Sequence, residues 1–330
     1  MQKDWNRGTL LSVSSAYWRG CAVQAGVRLG LFSRIDQGLL SAEEVADALG
    51  ADKRATGLLL DALAAMGLLM KAEGGYSNTG AARELLVAGR PGYMGHIILH
   101  HHHILDGWAQ LDQAVLSGEP VSRRSYGAEI ERESFLMGMF NLAMGVAPVL
   151  AGQLQLEGRR HLLDLGGGPG TYAIHFCLAH PELQAVIYDR PTTEPFARAT
   201  VEQFGLTGRI DFLPGDFTSD PISGGPYDAA WLSHILHSNS LEQCQTIINK
   251  TVAALEEGGQ IMVHDFILDN SKDSPEFAAL FSLNMLIGNG RGRSYSEEEI
   301  SGMLAKAGVS RIERLAFRAA NDSSVIVGVK

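Results

Sequence analysis

The sequence predicts an α/β protein with a mostly parallel, seven-stranded sheet containing an antiparallel strand. Helices cover both faces, and a smaller helical domain comes first. Three observations carry this. From Arg160 onward, short apolar runs alternate with amphipathic stretches, as strands joined by helices do. The last two runs, Arg311 to Arg318 and Ser324 to Lys330, are separated only by a short turn and so pair antiparallel. Before Gly89, helical periodicity is punctuated by caps and glycines and ends in a hairpin signal at Gly74-Gly75.

Taken in order, Ala16 to Leu31 sets Ala, Val and Leu at helical spacing. Ser41-Ala42-Glu43-Glu44 reads as a capping box that opens a helix to Leu49, stopped by Gly50. Asp52 opens a longer helix through Met66, with Leu58, Leu59, Ala62, Leu63 and Met66 on one face, and Gly67 stops it. Leu68 to Ala72 and Tyr76 to Asn78 then flank the glycine pair. Helices followed by a hairpin form a winged-helix pattern, which in many proteins binds DNA. Here acids and bases nearly balance over residues 1–90, and the helix from Asp52 has only Lys53 and Arg54, both at its start. Without a basic face, a dimerisation element is the favoured reading.

Residues 91–157 predict a helical linker. His96, His100 and His103 share one helical face beside His101 and His102. They predict a polar cavity wall and no metal site. Gly118-Glu119-Pro120 breaks the segment, and Phe135 to Leu156 predicts one long apolar helix.

The second half opens with the strand Leu162 to Leu165, which breaks into Gly166-Gly167-Gly168-Pro169-Gly170 and then a helix from Thr171 to His180. Glycines at such a turn let the backbone approach a ligand, and the N–H groups of the new helix favour an anionic group. Two ligand classes use the turn. The dinucleotide fingerprint wants glycine at its first, third and sixth positions, which here are Gly166, Gly168 and Thr171. Asp164 just before the glycines is instead the pattern of S-adenosylmethionine (SAM) enzymes, where the acid meets the ligand's amino group. A second strand, Ala185 to Tyr188, ends in Asp189, placed to accept ribose hydroxyls. Strand Ile210 to Leu213 ends in Gly215-Asp216-Phe217, and strand Tyr227 to Ser233 leads to His234 and His237. Helix Leu241 to Leu255, strand Gln260 to Phe266, helix Glu276 to Ile287 and a helix from Glu297, capped by Ser296, follow. Ligands of such sheets sit outside the carboxyl ends of the strands, so Asp164, Asp189, Asp216 and the Ser233–His237 segment converge on one crevice.

Composition narrows the classes. The 330 residues are 45% hydrophobic and 19% charged, enough for two domains with a sizeable core. A net charge of −10 disfavours nucleic acid or anionic membrane as the main partner. Cys21, Cys177 and Cys244 are odd in number and far apart, which is neither a disulfide framework nor a zinc spacing. The first residues lack a signal-peptide core and no apolar run reaches membrane-spanning length, so a cytoplasmic protein is expected.

Assembled, these residues resemble the O-methyltransferases that join an N-terminal winged-helix dimerisation domain to a SAM-binding Rossmann-like domain, a family of plant phenolic and bacterial pigment and antibiotic-tailoring enzymes. The resemblance rests most on Asp164 to Gly170, Gly215-Asp216-Phe217 and Ile235-Leu236-His237-Ser238-Asn239-Ser240. It implies a homodimer with a dimerisation domain over residues 1–90, a linker over 91–157 that contributes to the acceptor pocket, and a catalytic domain over 158–330. It implies that Gly166, Gly168 and Gly170 cradle the methionine part of SAM, Asp189 holds the ribose, and Asp216 and Phe217 flank the adenine, with Ser233 and His234 on that same side. It implies His237 as the base that deprotonates a hydroxylated small molecule, with Asp265 beside it. Phe135, Met139, Met285 and Asn289 would line the acceptor pocket. Ser238-Asn239 stands where the family usually has Asp-Trp, Ser294 where the plant enzymes have a second acid, and Ser233 where a lysine is common. These departures point to the bacterial branch and to an aromatic, quinone-like or polyketide-like acceptor. The alternatives are C- or N-methylation on the same scaffold, or a ligand-responsive regulator that binds DNA.

Overall fold

A computed structural model describes residues 4–319 and 321–330. The chain divides into two compact units, Met1–His103 with Ser125–Asn141, and Ile104–Arg124 with Leu142–Lys330.

In the first unit, Asn6 caps helix Arg7–Ser14, and helices Tyr17–Arg28 and Leu31–Ile35 follow. The helical spacing of Ala16 to Leu31 thus forms helix Tyr17–Arg28 and stops before Gly30. Gly30 takes φ 62°, a left-handed conformation that ends one helix and starts the next. Ser41 and Glu44 form the expected capping box on helix Ala42–Leu49, and Asp52 accepts from the Ala55 N–H at the start of Lys53–Ala65. Strands β1 (Leu69–Ala72) and β2 (Gly75–Asn78) pair antiparallel. Leu31, Phe32, Ile35, Val45, Leu60 and Leu63 form the buried core. Helix Arg7–Ser14 buries nothing, and Leu10, Leu11, Val13, Tyr17 and Trp18 lie exposed. Where one helix was expected over Phe135 to Leu156, the chain forms Ala128–Met144 and then Ala147–Ala151. Pro148, at the start of the second helix, lacks the N–H a continuous helix would need.

The second unit holds β3 (His161–Leu165), β4 (Gln184–Asp189), β5 (Ile210–Pro214), β6 (Tyr227–Ser233), β7 (Leu255–Asp265), β8 (Ser310–Arg314) and β9 (Ser324–Val329). Their order is β5-β4-β3-β6-β7-β9-β8, and β9 runs antiparallel to both neighbours. Alternation fills both faces: Leu162, Ala229, Trp231 and Met262 pack on one side, Leu163, Ala230, Leu232 and Val263 on the other. The chain steps outward from β3 to β5 and returns to β6 on the opposite side of β3. That reversal opens a crevice beyond the ends of β3 and β6, where open sheets of this kind bind ligands. Among the described residues, no helix is long and apolar enough to cross a membrane.

Candidate active site

The turn after β3 is shaped by what its glycines leave out. Gly166 has φ 65°, and a Cβ there would lie 2.3 Å from Ile235 Cδ1. A Cβ on Gly167 would lie 2.6 Å from the Asp164 carboxyl carbon. Side chains are therefore excluded above Asp164, and the backbone forms a cradle. The Gly168 N–H donates to Asp189 Oδ2 at 2.8 Å, so the acid ending β4 holds this turn. The other oxygen of Asp189 accepts from the Arg190 N–H at 2.6 Å and from Thr193 Oγ1 at 3.2 Å. Burial nonetheless raises the Asp189 pKa above its ordinary value.

Asp164 is completely buried. Its Oδ2 has one long contact, the Ala173 N–H at 3.4 Å, and its Oδ1 has no partner. Burial pushes the carboxyl up to about 7, with the charge of Asp189 adding to the rise. A buried acid with an empty oxygen under a glycine cradle is suited to a cationic group brought by a ligand.

The register of the sheet sets the second cluster. Ser233 pairs with His264, so the next residues outward, His234 and Asp265, meet beyond the strand ends. His237 follows on the short helical turn Leu236–Ser238, and its Nδ1 lies 2.6 Å from Asp265 Oδ1. Asp265 also accepts from the backbone N–H groups of His237, at 3.3 Å, and Phe266, at 2.8 Å. Burial opposes its ionisation, but the charge of His237, its hydrogen bond and the nearby His234 ring outweigh burial and hold the carboxyl well below the usual range. With Nδ1–H donated to this anion, Nε2 of His237 is the atom left to take a proton. Phe281 meets the His237 ring edge-on at 4.7 Å, and Phe266 lies parallel to it at 6.0 Å.

The expected site residues fall in several places. Phe217 packs against Gly166. Asp216 Oδ1 accepts from the Thr218 backbone N–H and hydroxyl, and those bonds hold its carboxyl below the ordinary value. Met285 and Asn289 lie on and just after helix Glu276–Gly288. Phe135 and Met139 belong to helix Ala128–Met144, where Phe135 meets His100 edge-on at 5.3 Å. Ser233 and His234, expected on the cofactor side, also make contacts within the chain. The Ser233 hydroxyl is engaged with His264 Nδ1 at 2.9 Å. His234, with φ 58°, turns its ring onto Phe266 at 4.5 Å and brings Nδ1 to 3.5 Å from Asp265 Oδ1, beside the His237 pair. Its backbone N–H is held by the His264 carbonyl at 2.8 Å, which fixes that orientation.

The sequence reading missed Phe266 and Phe281 as the rings packed against His237. Phe266 was legible as the neighbour of Asp265; Phe281 carried no local signal. The histidine run of helix Gly95–Trp108 makes separate contacts: His96 with Tyr93, His100 with Phe135, and His103 with Ser134 and Tyr126. Among the described residues, the group with metal-compatible proximity is His234, His237 and Asp265. Its 2.6 Å contact is the length of a charge-assisted hydrogen bond.

Comparison with known proteins adds to this geometry. Residues 108–310 match the O-methyltransferase domain family, and residues 11–88 match the O-methyltransferase dimerisation domain. The chain is 34% identical to a 3-hydroxy-5-methyl-1-naphthoate 3-O-methyltransferase of Streptomyces sahachiroi, over 97% of this chain and 94% of that protein. It is 32% identical to the tetracenomycin polyketide synthesis 8-O-methyl transferase TcmO of Streptomyces glaucescens, over 94% and 93%. The solved structure of PigF with SAH superposes with a TM-score of 0.89 at 27% identity, covering 99% of this chain and 100% of that one. The glycine cradle, the unpartnered Asp164 oxygen and both domain matches agree: the chain belongs to the O-methyltransferase family and is a SAM-dependent methyltransferase carrying that family's dimerisation domain.

Proposed function

We propose that the protein methylates a hydroxyl of an aromatic, polyketide-type small molecule, with His237 as general base and Asp265 as its orienting anion. The observation that carries this reading is the 2.6 Å contact between His237 Nδ1 and Asp265 Oδ1, which leaves Nε2 free to accept. When bound, SAM supplies a methyl group already activated on a sulfonium. The acceptor must bring a lone pair in line with it, and a phenol at neutral pH is mostly protonated. His237 Nε2 takes that proton, and Asp265, an anion across the working pH range, stabilises the imidazolium. Phe266 and Phe281 shield the pair from water.

Asp164 is proposed to meet the cofactor's ammonium, Gly166, Gly168 and Gly170 to cradle its amino-acid end, Asp189 to hold the ribose, and Asp216 and Phe217 to flank the adenine. Phe135, Met139 and Met285 are proposed as acceptor-pocket residues. The acceptor class is supported by the two Streptomyces relatives, whose names specify a naphthoate and tetracenomycin. The exposed apolar side chains of helix Arg7–Ser14 and the dimerisation match support a homodimer. The domain limits proposed are residues 1–90, 91–157 and 158–330. Free cysteines fit a reducing, cytoplasmic setting, and the acidic net charge fits the absence of a nucleic-acid partner.

The test is His237→Ala. Turnover falls by roughly 10²–10⁴, SAM affinity measured by calorimetry holds, and the deficit shrinks as pH rises toward the acceptor's own pKa. A variant within about threefold of wild type at neutral pH, with methyl transfer limiting, makes His237 a bystander.

A further inference from the structure

The ring of His237 is oriented by Asp265, but its backbone must also be held. The turn that carries it is pinned carbonyl by carbonyl. The Ile235 carbonyl accepts from Asn239 Nδ2 at 2.8 Å, and the Leu236 carbonyl from Cys244 Sγ at 3.2 Å. The Asn239 carbonyl accepts from Tyr295 Oη at 2.6 Å, and the Ser238 carbonyl from Asn289 Nδ2 at 3.1 Å. The His237 carbonyl is met by Gly292, where a Cβ would lie 2.0 Å from the oxygen. Glycine is needed there for close approach alone.

Asn289 joins the two segments. Its Oδ1 accepts from the Arg291 N–H at 3.0 Å and the Gly292 N–H at 2.9 Å, which folds residues 289–292 into a turn. Its Nδ2 then ties that turn to Ser238, the residue after the base. One side chain thus brings Gly292 against the His237 carbonyl. Asn289 itself is exposed, so its bonds compete with water and add little to folding stability, whereas a small displacement of a base costs much in rate.

We propose that Asn289 is a positioning residue for the base: its amide clamps the 289–292 turn onto the Leu236–Ser238 turn and sets the direction of His237 Nε2. This rests on His237 being the base and replaces the acceptor-wall role that the family resemblance assigns to Asn289.

The test compares wild type with His237→Ala, Asn289→Ala, Asn289→Asp and Gly292→Ala. Asn289→Asp keeps an acceptor for the Arg291 and Gly292 N–H groups but sets a carboxylate against the Ser238 carbonyl, so it opens the clamp while keeping the turn. The first readout is the downfield proton resonance of the His237–Asp265 hydrogen bond, assigned by its loss in His237→Ala. It shifts or broadens in both Asn289 variants and in Gly292→Ala, while the Asn289 variants keep a thermal midpoint close to wild type. The second is methyl transfer to 3-hydroxy-1-naphthoate. At neutral pH, kcat falls roughly tenfold to a hundredfold with both KM values held. The loss shrinks as pH rises and the hydroxyl ionises without help. An unmoved resonance with wild-type kcat overturns the clamp, as does a loss of equal size at every pH. A raised acceptor KM with kcat intact returns Asn289 to the pocket wall. If His237→Ala itself keeps wild-type kcat, the base reading fails and takes the clamp with it. If His237→Ala is impaired and the Asn289 variants are normal, only the clamp fails.

Discussion

Fully buried, the Asp164 carboxylate meets one N–H at 3.4 Å and nothing at Oδ1, and its pKa stands at about 7. An unfolded aspartate titrates near 3.9. Between those values the ligand-free folded chain binds the extra proton, so this group's contribution to stability falls as pH rises from about 4 through 7. Asp164→Asn therefore raises the thermal midpoint of the ligand-free protein at pH 8, and the advantage disappears as pH drops toward 4; melting curves at both pH values check this. The same variant binds SAM more weakly, by about 1–3 kcal/mol, because the ligand's ammonium loses its anion. Wild-type SAM binding near pH 6 releases a proton that Asp164→Asn does not, which calorimetry in buffers of different ionisation enthalpy detects. Asp189→Ala weakens SAM by a similar 1–3 kcal/mol, since it removes both the proposed ribose acceptor and the Gly168 N–H partner. The two acids were legible from sequence because Asp164 stands just before the glycines and Asp189 ends an apolar run. That one would lie buried with an empty oxygen was not legible, because it depends on Gly167 and helix Thr171–Ala179 closing over it.

At the scale of elements, function collects where strands stop. β3 ends in the cradle, β4 in Asp189, β6 in the turn that carries His237, and β7 in Asp265. The join between β3 and β6 is tight: Ile235, just past β6, fills the space where Gly166 lacks a side chain. Gly166→Ala forces that contact and a left-handed backbone together. It costs roughly 1–3 kcal/mol of stability and most of the SAM affinity, read from melting curves and calorimetry. If affinity stays at the wild-type level, the cradle is not the cofactor's seat. Strand and helix limits were largely legible from caps, glycines and apolar periods, as at Ser41, Asp52 and Ser296. The break at Pro148 was legible in principle but lay inside a run whose hydrophobicity read as continuous.

For the molecule as a whole, the exposed Leu10, Leu11, Val13, Tyr17 and Trp18 make a single chain an incomplete burial of its own apolar surface. The expected outcome of light scattering at micromolar concentration is a dimer, and Leu11→Glu with Trp18→Glu converts it to monomer by burying charge in the interface. A wild-type monomer sinks this. A gel shift with genomic DNA fragments near physiological salt retards nothing if the winged helix serves assembly; retardation would revive the regulator reading.

Local rules acted within a few residues of each position, and what they reach the sequence determined alone: the helix caps, the glycine turn after Asp164, the alternation that buries both sheet faces, and the pairing of the last two strands. Strand order did not follow from those rules, because β9 enters between β7 and β8 through contacts that no local pattern encodes. His234 and His237 illustrate the limit. Three residues apart on the same segment, they are the same residue type, and no local pattern tells their surroundings apart. Only the β6–β7 register, which sets Ser233 beside His264 and so brings Asp265 to both rings, decided that His237 takes the short hydrogen bond and His234 the longer contact. The carboxylate that meets His237 lies 28 residues further along the chain, on a neighbouring strand. Such a pairing is fixed by hydrogen bonding across the sheet, so it exists only once the chain has folded.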